Sequence, residues 1–228
     1  MKKENVLGKL PDLDNVLTPQ EREEVLREMQ VHVYRKNELI YSEGDRPSHM
    51  LCLISGKVKI YKDGVGGRAQ IVRVVNAVEY FGYRAAFAEE HYITAAAAFE
   101  ASVIATIPIN LIRQLIMRNP GLAWFFLHRL ATALGRSDAR TVNLTQKHIR
   151  GRLAEGILFL KENYGTEEDG RTLSVYPSRE DMANLSNMTT SNAIRTLSVF
   201  VQEKLIALDG RRIKILDEPA LQKISRLG

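Results

Sequence analysis

The spacing of apolar residues divides the chain into a strand-rich part and a helical part. From Val31 to Pro108, short apolar runs alternate with turn signals containing glycine and aspartate, a pattern typical of closely spaced antiparallel strands. Strands are predicted at 31–34, 39–41, 50–54, 57–61, 71–75, 95–99 and 103–107. The small-residue-rich interval Phe81–Glu90 predicts a short helix and loop at the mouth of the strands, where small ligands tend to bind. The close spacing of the strands favours an antiparallel roll or barrel over βαβ units.

Helical spacing begins at Pro108, and one long helix carries a heptad repeat. Ile109–Met117 is the first predicted helix of this part, and Asn119–Gly121 ends it. The next helix contains an unbroken series of heptad a and d positions, spaced alternately four and three residues apart. These positions are Ala123, Leu127, Leu130, Leu134, Ser137, Thr141, Leu144 and His148. Such a series is typical of a coiled-coil seam and predicts a dimer. The alternative is a helix packed within its own chain, and Trp124, Phe125 and Phe126 predict that a second face packs on the strands as well.

The interval Ser178–Ile206 predicts two short helices joined by a tight turn. Ser178 and Asp181 form a capping-box-like start, and Thr189 can cap the second helix after a break at Ser186–Met188. Four apolar residues of the second helix are predicted to pack inward: Ala193, Ile194, Leu197 and Val201. The opposite side carries Ser191, Asn192, Arg195 and Gln202. A short polar face with one arginine suits the major groove of DNA, whereas the alternative is a helical hairpin whose polar face is merely solvated.

A predicted β-hairpin follows the helix pair and completes the domain. Asp209–Arg212 is a strong turn signal between two apolar runs, and Leu173 with Val175 predicts one short strand before the helices. The fold class is therefore α+β, with an N-terminal antiparallel β-roll of the double-stranded β-helix type, a long dimerisation helix and a C-terminal winged helix-turn-helix. The predicted domains are 1–118, which includes a helix starting at Thr18-Pro19, then 119–148 and 149–228.

Composition narrows the function classes only slightly. The 228 residues are 45% hydrophobic and 26% charged with a net charge of +5, which suits two globular domains and permits a polyanionic partner without requiring one. Cys52 is the only cysteine, which excludes an internal disulfide and a four-cysteine iron–sulfur cluster and predicts a buried, inert thiol. Because no apolar run suits a signal peptide or a membrane span, a cytoplasmic protein without membrane contact is expected.

Several segments, in their order along the chain, resemble the cAMP receptor protein/fumarate-nitrate regulator (CRP/FNR) family of transcription regulators. They are 41–45 (Tyr-Ser-Glu-Gly-Asp), 56–60 (Gly-Lys-Val-Lys-Ile), Gly67-Arg68, Phe81-Gly82, 151–154 (Gly-Arg-Leu-Ala) and 178–206. The resemblance spans nearly the whole chain. It implies a homodimeric bacterial regulator whose cyclic-nucleotide-binding-like domain repositions the DNA-reading helices. Double-stranded DNA and a second copy are the implied partners, and RNA polymerase is a further candidate.

The resemblance also assigns residues to DNA contact. They are Arg179, Thr189, Thr190, Ser191, Asn192, Arg195, Arg211 and Arg212. Arg195 occupies the place of the family's arginine that forks onto guanine, a contact that discriminates between bases by about 1–3 kcal/mol. Ser191 replaces the glutamate usual a turn earlier, so the half-site is expected to differ from the family's common one. Arg179 resembles a phosphate-positioning residue, and the hairpin arginines suit phosphate contact.

The expected effector pocket departs from the family's pattern. Its residues are Gly82, Tyr83, Arg84, Thr94, Ala95, Ser137 and Asp138. Nucleotide-binding members carry Gly-Glu and Arg-Ser/Thr-Ala, whereas the aligned residues here are Gly82-Tyr83 and Ile93-Thr94-Ala95, which lack both charged partners of the nucleotide. A buried phosphate without a paired cation is unfavourable, so conventional cAMP binding is not expected and the effector is unknown. Haem stays open because histidines occur at 32, 49, 91, 128 and 148.

Two other function classes compete with a transcription regulator. A receptor module for a cyclic nucleotide or another small molecule would act on a partner protein through its helical tail, although Arg195 and the Asp-Gly hairpin count against it. An enzyme would need catalytic groups in a recognisable context. The sequence shows no metal-ligand cluster, glycine-rich phosphate loop or nucleophile motif, so enzymatic activity is not expected.

Overall fold

The computed structural model describes residues 3–64 and 69–227, except the side chains of 3, 139, 140 and 143–145. Gly67 and Arg68 of the family-like segments, and the side chain of the predicted seam residue Leu144, thus lie outside the described residues. The chain forms two compact units. The first contains the described residues through Gly64 together with Ile71–Gly135, and the second contains Ala69, Gln70 and the described residues from Arg136 onward.

The first unit is built on a roll of two four-stranded sheets. Its strands are β1 (Gln30–Tyr34), β2 (Leu39–Tyr41), β3 (His49–Ser55), β4 (Val58–Asp63), β5 (Ala69–Val75), β6 (Tyr80–Phe81), β7 (Ala95–Ala98) and β8 (Ser102–Pro108). The strand orders are β1-β8-β3-β6 and β2-β7-β4-β5, and the pairs of β8 with β1 and β3 are antiparallel. All seven predicted strands are confirmed to within two residues at either end. The two-residue β6 was missed because it lies inside the interval predicted as helix and loop.

Alternation along β3 creates two apolar clusters on the two faces of its sheet. Leu51 and Leu53 face the second sheet, in a cluster with Tyr41, Val58, Val75, Phe81, Ala85, Tyr92, Ala96 and Ile104. Met50, Cys52 and Ile54 face the helices of this unit. Cys52 is fully buried, and this burial raises the pKa of its thiol well above the usual range. The predicted buried thiol is confirmed, and its protonated form is unreactive.

Six helices begin in the first unit. They are α1 (Lys3–Leu7), α2 (Pro11–Asp14), α3 (Pro19–Glu28), α4 (Tyr83–Phe87), α5 (Ile109–Arg118) and α6 (Pro120–Gln146). The predicted start of α3 is confirmed as a full capping box, in which the Thr18 hydroxyl accepts from the Glu21 amide and the Glu21 carboxylate accepts from the Thr18 amide. The predicted short helix within Phe81–Glu90 is confirmed as α4.

The helix α6 buries one face and exposes another. Phe126 is buried and Phe125 is partly buried, as predicted, but Trp124 is 67% exposed and does not pack on the strands. The packing predicted for Trp124 is wrong. Consecutive residues of a helix point 100° apart, so three adjacent aromatic side chains cannot all lie on one face. The exposed apolar residues Leu127 (55%) and Leu134 (64%) lie on the predicted seam.

The remaining seam positions differ in exposure. Ala123 and Leu130 are partly buried, and Leu130 packs against the cluster beneath α6. Ser137 and Thr141 are exposed, and the Thr141 hydroxyl donates to the Ser137 carbonyl at 3.0 Å. That bond satisfies the hydroxyl within its own helix.

The second unit contains four further helices and a hairpin. Its elements are α7 (Ile149–Tyr164), α8 (Arg179–Leu185), α9 (Thr190–Gln202), β9 (Ile206–Asp209), β10 (Arg212–Ile215) and α10 (Glu218–Leu227). The strand predicted at Leu173 and Val175 is wrong, because only isolated bridges form there, from Thr172 to Lys214 and from Leu173 to Thr166. The predicted helix pair and hairpin are confirmed.

Candidate nucleic-acid interface

The turn between α8 and α9 is fixed by local hydrogen bonds. The Ser178 hydroxyl accepts from the Asp181 amide at 3.0 Å, and the Asp181 carboxylate accepts from the Ser178 amide at 3.1 Å, which completes a capping box. Asn187 takes a left-handed φ of 49°, a conformation that asparagine tolerates better than most residues. The Thr189 hydroxyl then accepts from the Asn192 amide and caps α9. The direction of α9 is thus determined at its first turn.

The buried face of α9 differs from the predicted one. Ala193, Thr196, Leu197 and Phe200 are buried, whereas Ile194 is 46% exposed and Val201 is 38% exposed. The inward packing predicted for Ile194 and Val201 is wrong. Phe200 is fully buried, and its large side chain occupies a core position. The buried face of α9 therefore includes Phe200 in place of Val201, and it lies about one residue away from the predicted face.

An ion pair holds the far end of α9 against α7. The two guanidinium nitrogens of Arg150 donate to the two carboxylate oxygens of Glu203, at 2.8 and 2.6 Å. The same guanidinium lies 5.4 Å from the centre of the Phe200 ring. Hydrogen bonding to Arg150 lowers the pKa of the Glu203 carboxyl. No sequence pattern indicated this pair, because its residues are far apart in the chain.

The exposed face of α9 carries most of the residues predicted to contact bases. Thr189, Thr190, Ser191 and Arg195 are exposed, and Asn192 is partly exposed. Ile194, which sequence reasoning placed in the core, lies among them. This face therefore combines a guanidinium, hydroxyl and amide groups with one branched apolar side chain.

The hairpin of β9 and β10 is joined to the start of α8. Gly210 occupies the tip of the hairpin with φ of 56°, and its carbonyl accepts a hydrogen bond from the Arg179 guanidinium at 2.8 Å. Arg179, predicted as a phosphate contact, thus ties the hairpin tip to the helix pair. Arg211, at the same tip, is exposed.

An acidic loop lies against the basic residues of the hairpin. Arg212 lies 4.0 Å from the Glu167 carboxylate and 5.4 Å from the Tyr176 ring centre, and Tyr176 donates to Glu167. Lys214 forms an ion pair with Asp169 at 3.1 Å. Backbone amides of Thr172 and Arg171 lower the pKa of the Asp169 carboxyl. The sequence showed an acidic loop at 166–170 but gave no sign of its partners.

The predicted effector residues of the first unit lie on or beside α4 and β7, and several of them contact neighbouring side chains. Gly82 starts α4 with φ of 81°, and a Cβ there would lie only 3.0 Å from the Tyr92 hydroxyl. Tyr83 is buried against Phe87 and Phe126, and the partly exposed Ala95 belongs to β7. Arg84 is exposed in an ion pair with Glu90 at 3.1 Å.

Two stacked tyrosines fill the interior of the roll beside these residues. The rings of Tyr41 and Tyr92 lie 3.8 Å apart at 17°, and both side chains are buried. Burial raises the pKa of Tyr41 to about 12, although a hydrogen bond with Thr94 opposes this shift. Ser137 and Asp138, the other predicted effector residues, are exposed on α6.

An open cleft lies on the other side of the tyrosine pair. It has a volume of about 520 Å³ and is lined by Gln30, His32, Tyr34, Ile40, Tyr41, Asp45, Arg46, Ser48, His49, Leu51, Tyr92 and Thr106. None of the predicted effector residues lines it. Sequence reasoning missed this cleft because its walls come from β1, β2, β3 and β8, which are distant in the chain.

These elements define a helix-turn-helix with a β-hairpin wing, preceded in the chain by a β-roll and a long helix. A family model of the cyclic nucleotide-binding domain matches residues 31–119, and one of the Crp-like helix-turn-helix domain matches residues 151–224. The chain belongs to the CRP/FNR family of transcription regulators and carries a helix-turn-helix DNA-binding domain.

Relatives cover nearly the whole chain. A CRP-like cAMP-activated global transcriptional regulator from Mycobacterium tuberculosis is 23% identical over 88% of this chain and 90% of its own length. The transcriptional regulator LdrP from Thermus thermophilus is 26% identical over 83% of this chain and 94% of its own. A solved crp/fnr family regulator from Eubacterium rectale superposes with a TM-score of 0.83 over 96% of this chain and 99% of its own, and at 18% identity shows the fold alone.

Membrane-spanning helices and clusters of metal-ligating side chains are both absent from the described residues. No helix in that part of the chain is long and apolar enough to cross a membrane. The same residues contain no group of three or more histidine, cysteine, aspartate or glutamate side chains placed to hold a metal ion.

Proposed function

We propose that this chain acts as a homodimer that binds a pseudo-palindromic DNA site, with α9 of each copy in successive major grooves. The observation that carries this proposal is the exposed face of α9, where Arg195 stands beside Thr190, Ser191 and Asn192 on a helix fixed at both ends. We assign base reading to these four residues. Phosphate contact is assigned to Arg211 at the wing tip, and to Arg179 and Arg212 beside it.

Removing the Arg195 guanidinium tests this assignment. We expect Arg195→Ala to lose about 1–3 kcal/mol of binding to a site selected in vitro by the full-length protein, because a bidentate guanine contact is lost. Binding to a scrambled duplex should change little, as measured by fluorescence anisotropy at fixed salt. The matched control is Arg226→Ala, which removes the same charge from an exposed position on α10. Equal losses on both duplexes would show that Arg195 does not read bases.

Dimerisation through α6 is supported by its exposed leucines. Leu134 is 64% exposed on the seam, whereas Leu130 also packs inside its own chain, so Leu134→Asp tests association with less damage to the fold. We expect sedimentation to give a dimer for the native protein and a monomer for Leu134→Asp, because a buried unpaired carboxylate is unfavourable. Thr132→Asp, exposed two residues away and off the seam, should stay dimeric. A monomeric native protein would contradict the proposal.

The effector is proposed to be a molecule other than a conventional cyclic nucleotide. Tyr83 and Ile93 stand where nucleotide-binding members carry the two charged partners of the nucleotide. The open cleft lined by Tyr41 and Tyr92 is the candidate effector site. Calorimetric titration of the native protein with cyclic AMP should give no saturable heat. Saturable one-to-one binding would contradict this part of the proposal.

The proposed activity takes place at bacterial DNA in the cytoplasm, with RNA polymerase as a further candidate partner. A receptor module that acts on another protein is the alternative, and the exposed α9 face disfavours it. We propose no catalytic activity, since the curated relatives are transcription regulators.

A further inference from the structure

The exposed face of α9 contains an apolar side chain that the fold does not use. Ile194 is 46% exposed, and its neighbours on this helix face are Ser191, Arg195 and Ser198, all of them exposed. The core positions of the helix are already filled by Leu197 and other side chains. Because it is exposed, the Ile194 side chain contributes little to the stability of the fold. It is available for contact with a partner that binds this face of α9.

The side chain is held in a restricted orientation. Isoleucine in a helix populates mainly one χ1 rotamer, so little entropy is lost when it enters an interface. The Ser198 hydroxyl one turn later donates to the Ile194 carbonyl at 3.0 Å and is directed at the backbone. Ile194 therefore presents its methyl groups to solvent on the exposed side of α9, which also carries Arg195.

The floor of the major groove offers one apolar group among the four standard bases, the C5 methyl of thymine. We propose that Ile194 reads thymine by contact with this methyl group, at a base pair next to the one that Arg195 contacts. This inference rests on the proposed function, since it requires α9 to enter the major groove. It adds an apolar readout to the four polar residues assigned above.

Replacing thymine by deoxyuridine tests the contact by removing only the methyl group. The full-length protein first selects its preferred duplex in vitro, and each thymine of one half-site is then replaced singly. We expect one position at which deoxyuridine weakens binding of the native protein about three- to tenfold, in line with the loss of one buried methyl contact. With Ile194→Ala, thymine and deoxyuridine at that position should bind equally.

A matched control comes from the same helix. Val201→Ala truncates the other exposed apolar residue of α9, seven positions further on, and should keep the full preference for thymine. Circular dichroism melting of both variants checks that the fold is retained.

The possible outcomes separate the two proposals. If the protein selects no preferred duplex, the proposed function fails and the readout by Ile194 fails with it. If it selects a duplex and Arg195→Ala weakens binding to it, but deoxyuridine has no effect or the same effect in Ile194→Ala as in the native protein, only the Ile194 inference is overturned.

Discussion

The helix α9 and the wing, the hairpin of β9 and β10, are stabilised by different interactions. Phe200, Leu197 and Ala193 hold α9 through burial, and the opposite face of the helix stays exposed to solvent. In the wing, Arg212 and Lys214 lie against Glu167 and Asp169, so two of its cations are partly neutralised by its own domain. A basic residue on a wing is therefore not automatically available to a phosphate.

The difference predicts distinct roles in DNA binding. Exposed ion pairs contribute only about 0–1 kcal/mol to stability and weaken as salt rises. Arg212 and Lys214 can therefore leave their carboxylates and pair with DNA phosphates with little loss of free energy. Among the residues that the structure describes, no ion pair joins the acidic loop to the exposed face of α9. We therefore expect variants of α9 to change specificity or folding, and variants of the acidic loop to change general affinity.

The largest effect is expected from Phe200→Ala, which removes the buried anchor of α9. Deleting a buried phenyl group destabilises a domain by about 3–5 kcal/mol. Hydrogen–deuterium exchange of the full-length protein should show much faster exchange of the amides in 190–202. Val201→Ala, next in sequence and 38% exposed, should leave their protection nearly unchanged. Equal effects of the two variants would contradict the observed orientation of the helix.

A smaller effect is expected from Glu167→Gln, which frees Arg212 from its carboxylate. We expect the variant to bind a selected duplex and a scrambled duplex more tightly by a similar factor of about two to five, because phosphate contacts carry no sequence information. Fluorescence anisotropy at two salt concentrations measures both affinities, and the gain should shrink as salt rises.

The control for Glu167→Gln is its neighbour Glu168. Glu168→Gln removes the same charge from an exposed side chain of the loop. An equal gain in that variant would assign the effect to net charge rather than to release of Arg212. Weaker binding by Glu167→Gln would show that the carboxylate is needed to hold the wing in place.

Local signals in the sequence predicted the framework well. Ser178, Thr189 and Thr18 each cap the helix predicted for them, because a capping hydrogen bond joins residues only three apart. The strands of the roll were predicted from the spacing of their apolar residues, which is also a local signal.

Two kinds of feature could not be predicted from the sequence: which of two apolar faces of a helix is buried, and which residues distant in the chain form contacts. Ile194 and Phe200 belong to two apolar stripes of α9, and the periodicity alone does not decide which stripe faces the core. The outcome depended on which side chain fits the space left by α7 and α8. The Arg150–Glu203 pair, the acidic loop at the wing and the Tyr41–Tyr92 stack likewise join segments that only the fold brings together.

The exposure of Trp124 gives the molecule an intrinsic optical probe. It is the only tryptophan of the chain, it is 67% exposed, and it follows the seam residue Ala123 directly on α6. Indole emission responds to the polarity of its surroundings, so a second copy packed along α6 would shift the spectrum towards the blue. The proposed dimerisation can therefore be tested by following the emission of Trp124 as the protein is diluted, with no dye attached.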